Sequence, residues 1–198
     1  MINLEKLNNS EPYRIFNKFY ENALENNQDI IQAILIASMD KKNDEVEARF
    51  VNLKYIIDNE WIFFSNYNSP KAKQFSSHNQ VSAVIFWSSI NVQIRMKAKI
   101  FKTDKFFSNN YFTNRSGSKN ALAISSAQSD TIHSYEDVVQ NYNDALESSA
   151  IDTRPSYWGG YSFIPYYFEF WQGHESRLNK RDVYEKDGDN WHHSLLQP

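Results

Sequence analysis

Val92-Gln93-Ile94-Arg95-Met96-Lys97-Ala98-Lys99-Ile100 alternates apolar and polar side chains without a break. Successive side chains of a strand point to opposite faces, so this stretch reads as a β-strand with one face in a core and one polar face. Working backwards, Asn91 is a turn and Val81–Trp87 is a strand apolar on both faces. Before that, three runs are separated by polar turns. Ile31–Ser38 leads through Asp40–Asp44 to a returning strand over Val46–Ile57, and Asp58-Asn59 leads to Trp61–Phe64. By spacing alone these three form an antiparallel meander. Working forwards, Tyr161–Trp171 is a long aromatic strand whose Pro165 predicts a bulge or an edge position. Arg177–Tyr184 and Trp191–Leu196, joined through Asp187-Gly188, make a last hairpin.

Helical signals fill the gaps. Pro12 opens a helix in which Tyr13, Phe16, Phe19, Tyr20 and Ala23 recur at helical spacing to about Asn26. Ser69-Pro70 starts a short one to about Ser76. Asp104–Asn114 has a helical period that Ser116-Gly117-Ser118 breaks, and Ser134-Tyr135-Glu136-Asp137 is a capping box before a helix to about Ser148. The polar, Asn-rich residues 1–11 are expected to be a loosely ordered extension. About eight strands and four short helices make one α+β domain over residues 1–198, and short turns between strand pairs favour an antiparallel barrel over a doubly wound sheet.

At 198 residues the chain suffices for one sizeable core. Aromatic residues make up 16%, which suits large side chains packed on sheets. A net charge of −3 argues against a nucleic-acid partner. With no Cys, thiolate metal sites, disulfides and a cysteine nucleophile are excluded. The 5 Gly form neither a dinucleotide-binding glycine loop nor a P-loop. No apolar run approaches a membrane span and no leader-like segment is seen, so a cytoplasmic protein is expected. The 5 His form no metal-ligating array, so no metal is expected.

The cations Arg49, Lys54, Lys71, Lys73, Arg115, Lys119, Arg177 and Arg181 fall at strand ends, a helix start and loop borders. Taken singly, each is an ordinary solvated charge. Their company is what matters: Ser69-Pro70-Lys71 joins a helix N-terminus to a lysine, an arrangement that holds phosphate without a glycine loop. Asn114-Arg115-Ser116 and Gln128-Ser129 add polar donors beside aromatic residues. Two phosphate-sized sites in an aromatic-rich barrel would suit a phosphorylated flavin and a phosphorylated substrate.

Several segments then carry a likeness. Arg154-Pro155-Ser156-Tyr157-Trp158-Gly159-Gly160, Glu169-Phe170-Trp171-Gln172-Gly173 and Ser176-Arg177-Leu178-Asn179-Lys180-Arg181 are the strongest. Arg49-Phe50-Val51-Asn52-Leu53-Lys54, Phe63–Lys71, Gln93-Ile94-Arg95, Tyr111–Arg115 and Ser126–Ser129 occur in the matching order. From about Ala33 to Pro198 the chain resembles the pyridoxine/pyridoxamine 5′-phosphate oxidase family. The resemblance implies a homodimer of FMN-binding split barrels with active sites at the subunit interface. It implies oxidation of pyridoxamine or pyridoxine 5′-phosphate to pyridoxal 5′-phosphate, with oxygen reduced to hydrogen peroxide.

The resemblance also implies roles. Arg49 to Lys54 (with Phe50, Val51, Asn52 and Leu53 between), Phe64, Ser65, Lys71, Gln93, Gln128 and Ser129 would bind FMN, joined by Trp171 and Arg181 from the partner subunit. Lys54, Tyr111, Arg115 and Lys119 would hold the substrate phosphate, while Arg177 and Asn179 would lie at the substrate ring as the catalytic pair. Guanidinium and ammonium groups suit phosphate, and a flavin needs no protein nucleophile. Four departures stand out: Pro70 replaces an arginine, Lys119 a serine and Asn179 a histidine, and an arginine-bearing N-terminal segment has no match. They leave open a flavin oxidase of the same fold acting on another ring, as in phenazine-forming relatives, or a poorly catalytic FMN or pyridoxal phosphate binder. Arg49 and Lys54, five apart, would face opposite sides of a regular strand.

Overall fold

The computed structural model describes residues 1–198 and contains ten strands and five α-helices. The strands are β1 (Asn3–Glu5), β2 (Ala33–Asp40), β3 (Glu45–Asn52), β4 (Tyr55–Ile57), β5 (Glu60–Asn66), β6 (Gln80–Trp87), β7 (Val92–Lys102), β8 (Trp158–Gln172), β9 (Lys180–Asp187) and β10 (Asn190–Leu195). The helices are α1 (Glu11–Glu25), α2 (Pro70–Ser77), α3 (Lys105–Thr113), α4 (Gly117–Ser125) and α5 (Tyr135–Leu146). No helix is long and apolar enough to cross a membrane.

β7 is the strand its alternation predicts. Val92, Ile94, Met96, Ala98 and Ile100 are buried, and the residues between them are half-buried or exposed. It pairs antiparallel with β6 on one side and along almost its whole length with β8 on the other. β8 organises the rest. On its second edge, β5 pairs with Trp158–Phe163 and β9 with Tyr167–Gln172. The sheet therefore divides at β8 into two wings, one running through β5, β4 and β1 and the other through β9 and β10, while β7, β6, β2 and β3 continue the common path. The division falls beside Pro165, where the β7–β8 register shifts between Lys97 and Ala98. The expected bulge is present, but β8 lies inside the sheet rather than at an edge. This is an α+β, predominantly antiparallel split barrel with short flanking helices.

The apolar face of α1 closes the core. Tyr13, Phe16, Tyr20 and Ala23 are buried, and Phe16 packs edge-on against Trp61 with ring centroids 4.6 Å apart. Fully buried aromatics of this size contribute about 1.5–3 kcal/mol each.

Four expectations need correction. Residues 1–11 are not loose: β1 pairs in parallel with β4, Ile2 is buried, and the Ile2 N–H donates to the Tyr20 hydroxyl at 2.9 Å. The run Val46–Ile57 is two strands, so no three-stranded meander forms. β3 pairs with β2, and β4 pairs with β5. Between them Leu53 N–H bonds to the Gln32 carbonyl and Lys54 N–H to the Ile62 carbonyl, so the chain changes partners within two residues. A fifth helix, α4, starts within the Ser-Gly-Ser segment expected to be a break, with Ser116 as its N-cap and Gly117 and Ser118 its first residues. Arg177–Asn179 precede β9 in a loop, with Arg177 in the left-handed region at φ 60°.

Candidate functional site

The partner change at Leu53-Lys54 brings the end of β3 and the start of β4 to the mouth of a cavity of about 360 Å³. Its lining is Phe50, Val51, Asn52, Lys54, Phe64, Ser65, Lys71, Tyr111, Arg115, Lys119, Gln128 and Trp158. Lys54, Lys71, Arg115 and Lys119 supply positive charge, and no carboxylate lines it. Tyr111 and Arg115 straddle the C-terminal end of α3, one turn apart and so on one face. The helix is set by Asp104, whose carboxylate accepts from the Phe106 and Phe107 N–H groups. Tyr111 stacks on Phe64 at 3.7 Å with the rings 5° apart, and Trp158 lies parallel to Phe64 at 5.3 Å. The Arg115 guanidinium sits 4.5 Å from the Trp158 ring centre.

Backbone contact makes this wall possible. Gly160 pairs with Phe64 across β5 and β8, and a Cβ there would lie 2.9 Å from Thr103 Cγ2 and 3.2 Å from Phe64 Cε1. Only glycine lets the strands and α3 approach this closely.

The cations are poorly compensated. Lys71, at the start of α2, is 8% exposed, and its ammonium donates to Ser69 Oγ and Gln128 Oε1, both at 3.2 Å. Burial, and then the neighbouring Arg49, depress its pKa from 10.5 to about 8. Burial and the charges of Lys119 and Arg115 lower that of Lys54. Burial also lowers that of Arg115, whose Nη1 is buried with no hydrogen-bond partner. Burying charge without a counter-charge is costly. The unpaired Nη1, the absence of a carboxylate and the depressed lysines fit a phosphorylated, ring-bearing ligand.

The remaining expected residues lie elsewhere. Arg49 adjoins the cavity without lining it. Its guanidinium donates to Ser38 Oγ at 2.6 Å, Gln74 Oε1 at 3.0 Å and Glu47 at 2.9 Å. Leu53 is fully buried in the core. Ser129 takes a left-handed conformation, φ 74°, and borders a separate pocket between α4 and α5. Gln93, Trp171 and Arg181 are paired in one cross-strand row through β7, β8 and β9. Arg177 and Asn179 sit in the loop before β9, where Asn179 Oδ1 accepts the His174 N–H at 3.0 Å.

The sequence reading did not assign Trp158 to the site, although it stands in the quoted Trp-Gly-Gly motif. It also missed Glu169, which is 1% exposed. Glu169 Oε1 accepts from Arg181 Nε at 2.8 Å, and Oε2 from Arg95 Nη1 at 3.0 Å and the Tyr167 hydroxyl at 3.2 Å. Burial raises this carboxyl's pKa, but the Arg181 hydrogen bond and the Arg95 charge outweigh it and hold the group below the usual carboxylate range. Its sequence signals were its place at the head of the quoted Glu169-Phe170-Trp171-Gln172-Gly173 motif and an acidic residue amid a run of aromatics.

Comparison with known proteins bears on this geometry. Residues 158–198 match the family described as the pyridoxine 5′-phosphate oxidase C-terminal dimerisation region. A pyridoxine/pyridoxamine 5′-phosphate oxidase of Leptospira interrogans is 30% identical over 193 residues, 96% of this chain and 89% of the relative. One from Trichormus variabilis is 33% identical over the same shares. The chain belongs to the pyridoxine/pyridoxamine 5′-phosphate oxidase family. Among solved structures, PhzG from Burkholderia lata 383, in complex with tetrahydrophenazine-1-carboxylic acid, superposes with a TM-score of 0.88 at 24% identity, covering 96% of this chain and 93% of that one. A pyridoxamine 5′-phosphate oxidase-related, FMN-binding protein of Nostoc punctiforme gives 0.77 at 12% identity, covering 96% and 99%. Both share the oxidase family's fold. The family is oxidoreductase-like. The matched dimerisation region comprises β8, β9 and β10, the strands that carry Trp171, Glu169 and Arg181.

Proposed function

We propose that the chain, as a single split-barrel domain, is an FMN-dependent oxidase. It converts pyridoxamine or pyridoxine 5′-phosphate to pyridoxal 5′-phosphate with reduction of oxygen to hydrogen peroxide. The observation that carries this reading is the cavity itself, in a member of this family: four cations, no lining carboxylate and a wall of parallel aromatic rings. In this reading Lys71, Ser65 and Gln128 serve the FMN phosphate end, with Arg49 alongside and the Phe50–Asn52 edge and Phe64 against the cofactor. Lys54, Tyr111, Arg115 and Lys119 hold the substrate phosphate. FMN, when bound, supplies the two-electron oxidation and returns the electrons to oxygen. The chain's own work is to bind, orient and exclude water, which sets the substrate at reacting distance.

Gln93, Trp171 and Arg181 act in this reading from a second copy. Trp158 lines the cavity and Trp171 lies at the other end of β8. At ~3.3 Å per residue the strand between them extends roughly 40 Å. One chain therefore does not bring both ends to one ligand, whereas a homodimer brings the Trp171 end of one chain to the cavity of the other. Arg177 and Asn179 approach the substrate ring on the same wing.

The test is to purify the protein, record its flavin spectrum and measure hydrogen peroxide with both phosphorylated vitamers. Turnover with a bound yellow flavin supports the proposal. Oxidation only of a non-phosphorylated aromatic ring moves the protein to the ring-oxidase class, and bound flavin without turnover moves it to a carrier.

A further inference from the structure

Glu169 is the most deeply buried acidic group in the chain, and it lies outside the cation-lined cavity. Its β8 neighbours Phe168 and Phe170 are fully buried on the core side, so alternation places its carboxylate on the opposite face with Trp171 and Tyr167. There it meets two guanidinium groups: Arg181 from β9 at 2.8 Å and Arg95 from β7 at 3.0 Å. Arg181 is held a second time, with Nη1 donating to the Gln197 carbonyl at 2.9 Å. Nε and Nη1 are thus both occupied within the chain, and Nη2 is the one guanidinium nitrogen of Arg181 with no partner among its hydrogen bonds. A free arginine side chain samples many rotamers, and ordering it costs conformational entropy. One clamped at two nitrogens has met that cost before any ligand arrives.

We propose that Glu169 is a positioning residue. It does not touch the cofactor, but it fixes Arg181 so that Nη2 is presented to the flavin in the partner's cavity. This rests on the reading that Arg181 completes the site across the dimer. Arg95 and the Tyr167 hydroxyl occupy the other oxygen of Glu169 and keep Oε1 turned to Arg181.

The experiment is a double-mutant cycle on the full-length apoprotein. FMN affinity is read by fluorescence titration, and folding and dimerisation by circular dichroism and light scattering. Glu169→Gln is expected to weaken FMN binding roughly 10- to 100-fold, taking as a guide the range found for outer partners that orient metal ligands. In the Arg181→Ala background the same substitution is expected to change the affinity by less than about threefold, because two residues acting through one contact are non-additive. A purely structural role would weaken FMN by the same factor in both backgrounds, and that result overturns the proposal, as does unchanged FMN affinity in Glu169→Gln. If Glu169→Gln does not give a folded dimer, Glu169→Asp keeps the charge while withdrawing the carboxylate by one methylene. The same loss and the same coupling are expected of it, and their absence refutes the proposal equally. Unchanged FMN affinity in Arg181→Ala alone would instead sink the shared-site reading and this inference with it, while loss in Arg181→Ala without coupling to Glu169 sinks this inference alone.

Discussion

Lys71→Met should make the apoprotein more stable and the flavin site weaker. The lysine is 8% exposed and its pKa is depressed to about 8 by burial and Arg49. Keeping it charged at pH 7 in place of a free lysine near 10.5 costs ~3 kcal/mol. Methionine keeps the apolar stem and removes the charge. It leaves Ser69 Oγ and Gln128 Oε1 without the ammonium donor, which returns about 1–2 kcal/mol. The net expectation is a gain of ~1–2 kcal/mol, or roughly 2–8 °C in the apoprotein's Tm for a chain of this size. In the same variant, losing a charge-assisted phosphate contact worth ~1.5–3 kcal/mol should weaken FMN roughly 10- to 150-fold. The pH dependence follows. The folded pKa lies below the unfolded one, so the penalty is present in full below about pH 8. It fades as pH rises from 8 to 10.5, where the unfolded chain holds the extra proton. Wild-type apoprotein therefore gains stability from this group across that window, and Lys71→Met does not. FMN affinity of the wild type should fall above pH 8, because binding a phosphate then requires Lys71 to take up a proton. Differential scanning calorimetry and fluorescence titration read both halves. A Met variant that melts below wild type refutes the strained cation, and one that binds FMN equally well refutes its role at the phosphate.

Gly160→Ala should cost about 1–3 kcal/mol by thermal unfolding, because its Cβ would press on Thr103 and Phe64. Light scattering at micromolar concentration should give about twice the 23.3 kDa chain mass, and a monomer that still binds FMN tightly would exclude the shared site. Asn179→His should raise kcat for pyridoxamine 5′-phosphate more than it lowers KM. An unchanged kcat with a lower Tm would confine Asn179 to holding the His174 turn.

What the sequence made legible depended on how much of each signal was local. β7 could be read directly because burial of one face alone produces its alternation. The α5 start was equally plain, since Ser134 caps it through a bond to Asp137 N–H only three residues away. The break at Leu53-Lys54 carried no local mark: no Gly or Pro interrupts Val46–Ile57. It exists because the successive N–H groups of Leu53 and Lys54 bond to carbonyls of different segments, Gln32 and Ile62, a choice made by the tertiary fold. That break also removes the parity conflict between Arg49 and Lys54, which do not share one regular strand. The helix α4 was hidden because its N-cap and first two residues, Ser116-Gly117-Ser118, read as a break, and β1 is three residues long with a partner more than fifty positions away. In the site, the cations of the cavity could be nominated from motif order. The remoteness of Trp171 and Arg181 from them follows only from the length of β8.

That length makes flavin retention a matter of mass action. In the shared-site reading the cavity and the Trp171–Arg181 row meet only when two chains meet, so the contacts supplied by that row vanish on dissociation. Cofactor and partner then stabilise each other by linkage. Loading with FMN tightens the dimer by the same factor by which dimerisation tightens FMN. Both sites of a dimer would empty together on dilution, and the apparent FMN affinity would vary with protein concentration. A freshly made chain could hold no flavin securely until it had found its twin.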